Sequence, residues 1–253
     1  MKNLPFDSAD YRQFQNTFLA STVVGMTFPL VEDANLHLEQ WEKFTRAVFS
    51  VSPMDGLFKK AIVVNRSDNR LAFIFDNGRI QAHISGDGYR SFADSVIPHA
   101  YKLKDFVTDV VGRNTINQLG IRKIDVFQIE TGKGKSPVEA EVRKHFFSQK
   151  YLSLTGSNLV GLEGDESQMP NMIKQRWTED AHQLNLRTVF LKAPEAENRY
   201  RLILDIDEQY NPDGGIDLGN LDVELKKMNM DLFNVFMGCI SENVIKIMEN
   251  GKE

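Results

Sequence analysis

Apolar and polar residues alternate along this chain with two different periods, and the shorter period predicts strands. The clearest stretch covers residues 61–84, where three runs rich in β-branched and aromatic residues are separated by short polar turns. The second turn contains Asn77 and Gly78, a pair that readily adopts the positive φ angles of a two-residue hairpin. The sequence therefore predicts a three-stranded antiparallel meander over residues 61–84.

Four further runs of similar composition predict strands outside the meander. They cover the second half of residues 14–28, residues 120–129, residues 184–192 and residues 200–207. Residues 148–172 are polar and spotted with glycine, and their pattern predicts neither a strand nor a helix.

Apolar residues that recur every three or four positions predict helices. The helical stripes cover residues 38–48, 89–111, 138–147, 221–239 and 241–248. We expect Ser52-Pro53 to end the first helix and Pro98 to interrupt or kink the second, because proline lacks the N–H that a helix interior needs. Ser136 is expected to cap the third helix.

Residues 131–137, with the sequence Thr-Gly-Lys-Gly-Lys-Ser-Pro, break these patterns and are typical of a boundary. We expect an N-terminal unit over residues 1–130 and a C-terminal unit over residues 137–253, packed together as one body. Asp105-Phe106 stands seven residues before Gly112, and Asp231-Leu232 stands seven before Gly238. The predicted fold is therefore α+β, with antiparallel sheet segments packed against long helices and a pseudo-duplicated unit of meander and helix.

Composition agrees with a folded domain and narrows its chemistry. The chain has 253 residues, 42% hydrophobic and 26% charged, and its 17 Phe residues are enough for a core. A single cysteine, Cys239, excludes a disulfide framework and a cysteine-based zinc site. The net charge of −5 argues against a general binder of polyanions, although it allows a local basic patch. The chain starts without an apolar leader and has no run long enough to cross a membrane, so a cytoplasmic protein without membrane contact is expected.

Asp205 and Asp207, followed by Glu208, end an otherwise apolar strand. Two carboxylates at i and i+2 share one face of a strand, so a hard cation such as Mg²⁺ can sit between them. A metal-dependent phosphodiesterase or nuclease would use such a site to activate water, but it also needs a third acidic ligand, and no Glu-x-Lys strand follows. The alternative is that these residues face solvent or pair with an arginine such as Arg187.

Basic residues concentrate on one predicted strand and the loop that follows it. They are Arg122, Lys123, Lys133, Lys135, Arg143 and Lys144. If these residues converge, they can contact the phosphates of a nucleic acid, with Tyr151, His145 and Phe146 as stacking partners. The alternative is an ordinary solvated loop, which the acidic net charge and the lack of a nucleic-acid-binding motif favour.

The histidines, the glycine-rich segments and the single cysteine do not form a recognisable catalytic or binding motif. The five histidines are His37, His83, His99, His145 and His182, and no two have a metal-binding spacing. Gly132-Lys133-Gly134-Lys135-Ser136 and Gly86-Asp87-Gly88 fail the spacing of a phosphate-binding loop and are expected to be turns. Cys239 lies on a helical apolar stripe and is expected to be buried and inert. No cofactor is predicted.

Several short motifs together resemble one known family. They are Asn-Arg at 65–66, Leu-Ala-Phe-Ile at 71–74, Tyr-Arg-Ser-Phe at 89–92, Leu-Gly-Ile-Arg-Lys-Ile-Asp at 119–125, Leu-Ile-Leu-Asp-Ile-Asp at 202–207 and Phe-Asn-Val-Phe at 233–236. The chain is similar to a sporadically distributed family of bacterial and archaeal proteins of about this length with no established function. Lys123 and Asp125 stand where that family usually has Tyr and Asn. The resemblance implies a stand-alone cytoplasmic protein, inherited as mobile or defence-related genes often are, and supplies no catalytic residues.

The sequence as a whole favours a non-catalytic binding or assembly protein that acts through a protein partner or by self-association. The support is a strong core pattern without a convergent polar motif. A metal-dependent phosphodiesterase that uses Asp205 and Asp207, and a nucleic-acid-binding protein that uses the basic residues of 122–144, remain open as alternatives.

Overall fold

The computed structural model of the chain describes residues 1, 4–14, 17–29, 49–53, 60–65, 70–76, 78–130, 145–155, 171–192 and 199–250. Within them, nine strands form one sheet in which every neighbouring pair is antiparallel. The strands of this sheet are β1 (Leu19–Thr27), β2 (Phe49–Pro53), β3 (Lys60–Asn65), β4 (Leu71–Asp76), β5 (Arg79–Ser85), β7 (Gln118–Glu130), β8 (Asn171–Glu179), β9 (His182–Lys192) and β10 (Arg199–Tyr210). Their order is β2-β3-β4-β5-β1-β7-β10-β9-β8. A separate small ladder joins β6 (Thr115–Ile116) to β11 (Ile216–Asp217).

The described residues contain four α-helices, and two of them pack against the central strands of the large sheet. The four are α1 (Ile97–Asp105), α2 (Gln149–Thr155), α3 (Leu221–Cys239) and α4 (Glu242–Asn250). Helix α1 contacts β1 and β5, whereas α3 contacts β7 and β10. Turns of π-helix at Phe92–Val96 and Phe106–Val110 extend α1 at both ends.

Alternation along each central strand decides which side chains face the helices. In β1 the side chains of Thr22, Val24 and Met26 are fully buried, and those between them are partly exposed. Successive side chains of a strand point to opposite faces, so one face of the sheet carries the core and the other carries the partly exposed residues. We call the second face the open face.

The two halves of the chain repeat one topology. Each half has a long strand (β1 or β7), a meander whose last strand pairs with it (β3-β4-β5 or β8-β9-β10), and a helix over that pair (α1 or α3). The long strands pair with each other, so the sheet is continuous across the boundary expected at residues 131–137, which lie outside the described residues. The predicted α+β fold, with antiparallel sheet packed against helices, is confirmed.

The local sequence repeat does not have the same structural role in both halves. Gly112 has φ of +73° and follows the end of the first helical segment. Gly238 lies inside α3, where an added Cβ would come within 2.2 Å of the Phe6 ring. The topology therefore repeats, but the two glycines differ in role: Gly112 follows a helix end, and Gly238 allows Phe6 to pack closely against α3.

The predicted meander is confirmed as β3, β4 and β5. Asp76 pairs with Arg79 across the Asn77-Gly78 turn, and Gly78 has φ of +84°, as this hairpin requires. The helix expected over residues 38–48 lies outside the described residues, but its expected end at Ser52-Pro53 is wrong. Those residues belong to β2, whose backbone pairs with β3.

Two other expectations concern helices, and one strand was not predicted. Pro98 lies where the π-helical turn Phe92–Val96 passes into α1, so the helical segment continues through the proline but changes its hydrogen-bonding pattern there. The helix expected over 138–147 lies mostly outside the described residues. Strand β8 falls where the sequence pattern predicted nothing, and its hairpin to β9 is closed by Asp180 with φ of +52°.

Candidate functional site

Two glycines lie directly opposite each other at the centre of the open face. Gly25 of β1 pairs with Gly120 of β7, and their neighbours in the same row are Gln81 on β5 and Gln209 on β10. The row therefore reads Gln-Gly-Gly-Gln across four adjacent strands. We call this pair of glycines the glycine floor. Its backbone is open at Gly120, whereas the Gln81 side chain lies beside Gly25, with Cγ 3.0 Å from the position that a Cβ there would take.

A chain of hydrogen bonds runs along one side of the glycine floor. Thr27 Oγ1 donates to Gln118 Oε1 at 3.4 Å, and Gln118 Nε2 donates to Gln209 Oε1 at 2.8 Å. Gln209 Nε2 then donates to Asp207 Oδ2 at 2.9 Å, and Asn185 Nδ2 donates to the same oxygen at 3.2 Å. These bonds hold the polar side chains in fixed positions around the floor.

The floor and its polar rim enclose a groove of about 360 Å³. It is lined by Val23, Gly25, Thr27, Arg79, Gln81, His83, Gln118, Gly120, Ile121, Arg122, Arg187, Asp207 and Gln209. This volume falls in the usual range of small-molecule sites. A Cβ added at Gly120 would meet only the Glu208 carbonyl oxygen, at 3.7 Å, so the neighbouring structure leaves room for a side chain there.

The structure places Asp205 and Asp207 on the open face, but their partners are protein groups. Arg122 donates to both carboxylate oxygens of Asp205, each at 2.8 Å, and Arg187 lies 3.7 Å from the same carboxylate. Burial raises the pKa of Asp207, against the opposing effect of its amide donors. A cation would therefore have to displace Arg122 from Asp205. Within the described residues, no group of three or more His, Cys, Asp or Glu side chains is placed to hold a metal ion.

Of the six basic residues of the predicted nucleic-acid site, the two that the structure describes do not share one surface. Arg122 lies on the open face, and its neighbour Lys123 extends from the opposite face of β7 to Asn229 on α3. The convergence that the nucleic-acid hypothesis requires therefore does not occur for this pair, because adjacent residues of a strand point to opposite sides. Lys133, Lys135, Arg143 and Lys144 lie outside the described residues.

Lys123 lies in a small pocket beneath the helices. Its Nζ donates to Asn229 Oδ1 at 2.7 Å and lies 5.8 Å from the ring centroids of both Tyr89 and Phe92. Asp125, two residues further along β7, lines the same pocket of about 100 Å³. Removal from water lowers the pKa of Lys123 to about 8 and raises the pKa of Asp125 to about 7, and each charge partly opposes the shift of the other.

A third polar group of side chains connects the core to the surface. His182 Nδ1 donates to Glu208 Oε1 at 2.8 Å, and the exposed Lys227 donates to His182 Nε2 at 3.0 Å. Tyr210 stacks on the His182 ring, with centroids 4.2 Å apart. Burial raises the pKa of Glu208, and the His182 hydrogen bond acts against this shift. No local sequence pattern predicts this group, because its members are far apart in the chain.

Cys239, His99 and Gly86–Gly88, which were also considered in the sequence, are part of the packed structure. Cys239 is fully buried on α3, and burial raises the pKa of its thiol, in agreement with an inert core residue. His99 packs edge-on against Phe73, and burial lowers its pKa to about 4. Gly86–Gly88 forms a 3₁₀ turn, in which Gly86 presses against the backbone of Leu19. No helix in the described part of the chain has the length and apolar character needed to cross a membrane.

No family model matches the chain, and no curated protein matches it either. The resemblance to a sporadically distributed prokaryotic family, and the mobile or defence-related gene context that it implies, stay predictions.

Proposed function

We propose that this protein is a non-catalytic binding protein that holds a small, planar, polar ligand over the glycine floor. The observation that carries the proposal is the direct pairing of Gly25 with Gly120 inside a polar rim. A flat ring can approach the bare peptide group of Gly120 more closely than it can approach any side chain, with the Gln81 side chain beside it over Gly25. Glycine inside a strand is a recognised sign of such close approach.

Among the described residues, none packs closely enough against Gly120 to require a glycine there. Glycine in a strand interior costs about 0.5–1 kcal/mol relative to alanine, because its backbone loses more freedom on folding. The space around Gly120 would accept a Cβ, so a larger residue would fit the strand and favour it. What supports a binding role is that the missing side chain keeps the centre of the groove clear.

The rim indicates the chemistry of the ligand. Gln81, Gln118 and Gln209 carry amides that both donate and accept hydrogen bonds, as the edges of a polar heterocycle require. The groove is lined by Arg79, Arg122 and Arg187, and the last two lie against the Asp205 carboxylate. With Asp207 also in the lining, the arginines still outnumber the carboxyl groups, which favours a ligand with an anionic group. Binding is favoured over catalysis because the carboxylates at the rim are engaged by arginine and amide groups.

The test is a binding screen with a matched pair of glycine variants. Nucleobases, nucleosides and small aromatic carboxylates are screened by saturation-transfer NMR against the parent, Gly120→Val and Gly214→Val. Gly214 lies in a turn where a Cβ would meet no atom within 4 Å, so it controls for the substitution itself. We expect the parent and Gly214→Val to bind one of these classes and Gly120→Val to bind it at least tenfold more weakly, with an unchanged melting temperature. Equal binding by all three proteins, or no binding by the parent, would contradict the proposal.

Association with a protein partner or with a second copy stays a prediction. Sedimentation velocity of the purified protein over a range of concentrations measures self-association directly. Affinity purification from the native cell, with analysis of the co-eluting proteins, tests for a protein partner.

A further inference from the structure

The pocket beneath the helices combines an amine, a carboxyl group and apolar walls. Lys123 and Asp125 project from the helix-facing side of β7 and are held between the sheet and α3. The apolar lining consists of Tyr11, Phe14, Leu19, Tyr89, Ile206, Leu232, Phe233, Phe236 and Met248. The exposed residues Arg12 and Arg90 also line the pocket.

A lysine in such surroundings is unusual, because the ammonium group loses most of its hydration when it leaves water. Among the described residues, Lys123 Nζ donates to one acceptor, Asn229 Oδ1, and two aromatic rings lie nearby. Asn229 is itself buried on α3, so the amine is held in one position at the wall of the pocket. Asp125 is the acidic group next to it on the same strand face.

We propose that this pocket binds a small aldehyde or ketone, and that the Lys123 amine forms a reversible imine with it. The neutral amine attacks the carbonyl carbon to give a carbinolamine. Its hydroxyl leaves as water after accepting a proton from the carboxyl group of Asp125, and the nitrogen gives its own proton to the Asp125 carboxylate as the C=N bond forms, which restores the acid. The overall change is amine plus carbonyl to imine plus water, with no oxidant or reductant.

The electrostatics of the pocket support this chemistry. A desolvated lysine is neutral at a lower pH than a surface lysine, and a neutral amine is the nucleophile that imine formation needs. Burial lowers the pKa of Lys123 to about 8 and raises the pKa of Asp125 to about 7, so near neutral pH one group can act as base and the other as acid. The other titratable groups that line the pocket are Tyr11, Tyr89, Arg12 and Arg90.

The size of the pocket limits the ligand. A cavity of roughly 150 Å³ holds a benzene molecule, so the 100 Å³ here suits a smaller carbonyl compound. Arg12 is paired with Glu249, whereas no ion pair is recorded for Arg90 among the described residues. A 2-oxo acid, with its carboxylate toward these arginines, and an uncharged ketone are therefore two useful probes. The site is separate from the glycine floor, and the inference does not depend on the function proposed above.

The test is reductive trapping with pyruvate and with butanone. The folded protein is incubated with each ketone and sodium cyanoborohydride, and the modified lysines are located by peptide mass spectrometry. We expect one adduct per chain, at Lys123, formed at least tenfold faster than adducts at the exposed Lys226, which is an internal control in the same molecule. Because the mechanism needs a neutral Lys123 and a protonated Asp125, the labelling rate of Lys123 should pass through a maximum between about pH 7 and 8, whereas that of a surface lysine continues to rise.

Variants separate the role of each group. Lys123→Arg should lose the adduct, and Asp125→Asn should keep it but form it at least tenfold more slowly. Because a change in this pocket can affect folding, each variant is first compared with the parent by circular dichroism. A folded parent that is labelled at Lys226 as fast as at Lys123, or not labelled at Lys123 with either ketone, would overturn the inference. Faster trapping with pyruvate than with butanone would identify the anionic ligand class.

Discussion

Arg122 and Lys123 are adjacent in the chain, and the two faces of the sheet give them opposite surroundings. Arg122 lies on the open face with 41% of its side chain exposed, and its guanidinium meets Asp205 in a two-point ion pair. Lys123 lies on the helix-covered face near the carboxyl group of Asp125. Its hydrogen bond goes to Asn229 and not to Asp125. Two basic residues that look alike in sequence therefore have different charge behaviour.

The comparison shows that burial, more than residue type, decides how the pKa values of these two basic residues shift. Hydrogen bonding by Asp205 raises the pKa of Arg122, because the partner stabilises the charged form. Desolvation lowers the pKa of Lys123, because little in the pocket replaces the lost water. The open face thus carries a fixed ion pair, and the covered face carries a group that can change its charge near neutral pH.

The largest expected effect comes from truncating neighbouring residues of β10 on the two faces. Leu204 is fully buried under the helices, whereas Ile203 on the open face is partly exposed. Leu204→Ala should lower the free energy of unfolding by about 2–5 kcal/mol, since it removes a buried side chain and leaves a cavity. Ile203→Ala should cost about 1 kcal/mol or less. Urea unfolding followed by circular dichroism gives both values, and equal losses would mean that the open face is covered as fully as the other.

The next effect is a dependence of stability on pH that originates on the covered face. Burial raises the pKa of Asp125 from the ordinary value of 3.8 to about 7, so between these values the folded protein binds more protons than the unfolded chain. Its stability should therefore fall as pH rises through this window, by at most about 1.4 kcal/mol per pH unit for this one proton. The burial of Asp207 and Glu208 acts in the same direction, so the measurement is a difference between the parent and Asp125→Asn.

The control for this difference is Asp213→Asn, which removes an exposed carboxylate from a turn. The pH dependence should become flatter in Asp125→Asn and should stay unchanged in Asp213→Asn. Urea midpoints at pH 4.5, 5.5, 6.5 and 7.5 provide the comparison. If both variants retain the slope of the parent, Asp125 does not titrate as its surroundings indicate.

The smallest of these effects should distinguish the adjacent basic residues. Arg122→Met removes both donors from the buried Asp205 and leaves only the more distant Arg187, so a loss of about 1–2 kcal/mol is expected after allowance for solvent exposure. Lys123→Met removes a desolvated amine and fills similar space, so stability should change by less than about 1 kcal/mol in either direction. The two urea midpoints, measured at pH 7, test the comparison, which fails if Lys123→Met is the more destabilising.

Much of the fold could be predicted because its signals are local. The meander depends on alternation and on one Asn-Gly turn, and the long helix α3 depends on an apolar stripe. Strand β8 had no comparable signal, since its hairpin uses Asp180 at positive φ where sequence rules look for glycine or asparagine-glycine. The order of the strands comes from pairing between distant segments, which a pattern along the chain does not contain.

The candidate sites were less predictable for the same reason. Gly25 and Gly120 become a floor only through the register of β1 with β7, and His182 meets Glu208 only through the pairing of β9 with β10. The separation of Arg122 from Lys123 was within reach of the sequence. Once residues 120–129 are predicted as a strand, strict alternation places these two side chains on opposite faces.

Strand β7 also has a consequence for how the chain acquires its structure during synthesis. It pairs with β1, made long before it, and with β10, made well after it. Until β10 emerges from the ribosome, one whole side of this thirteen-residue strand has hydrogen-bonding groups without their final partners. We therefore expect the nascent chain to pass through a stage with a long open sheet edge. A chaperone that shields such edges would then act between the synthesis of Glu130 and that of Tyr210.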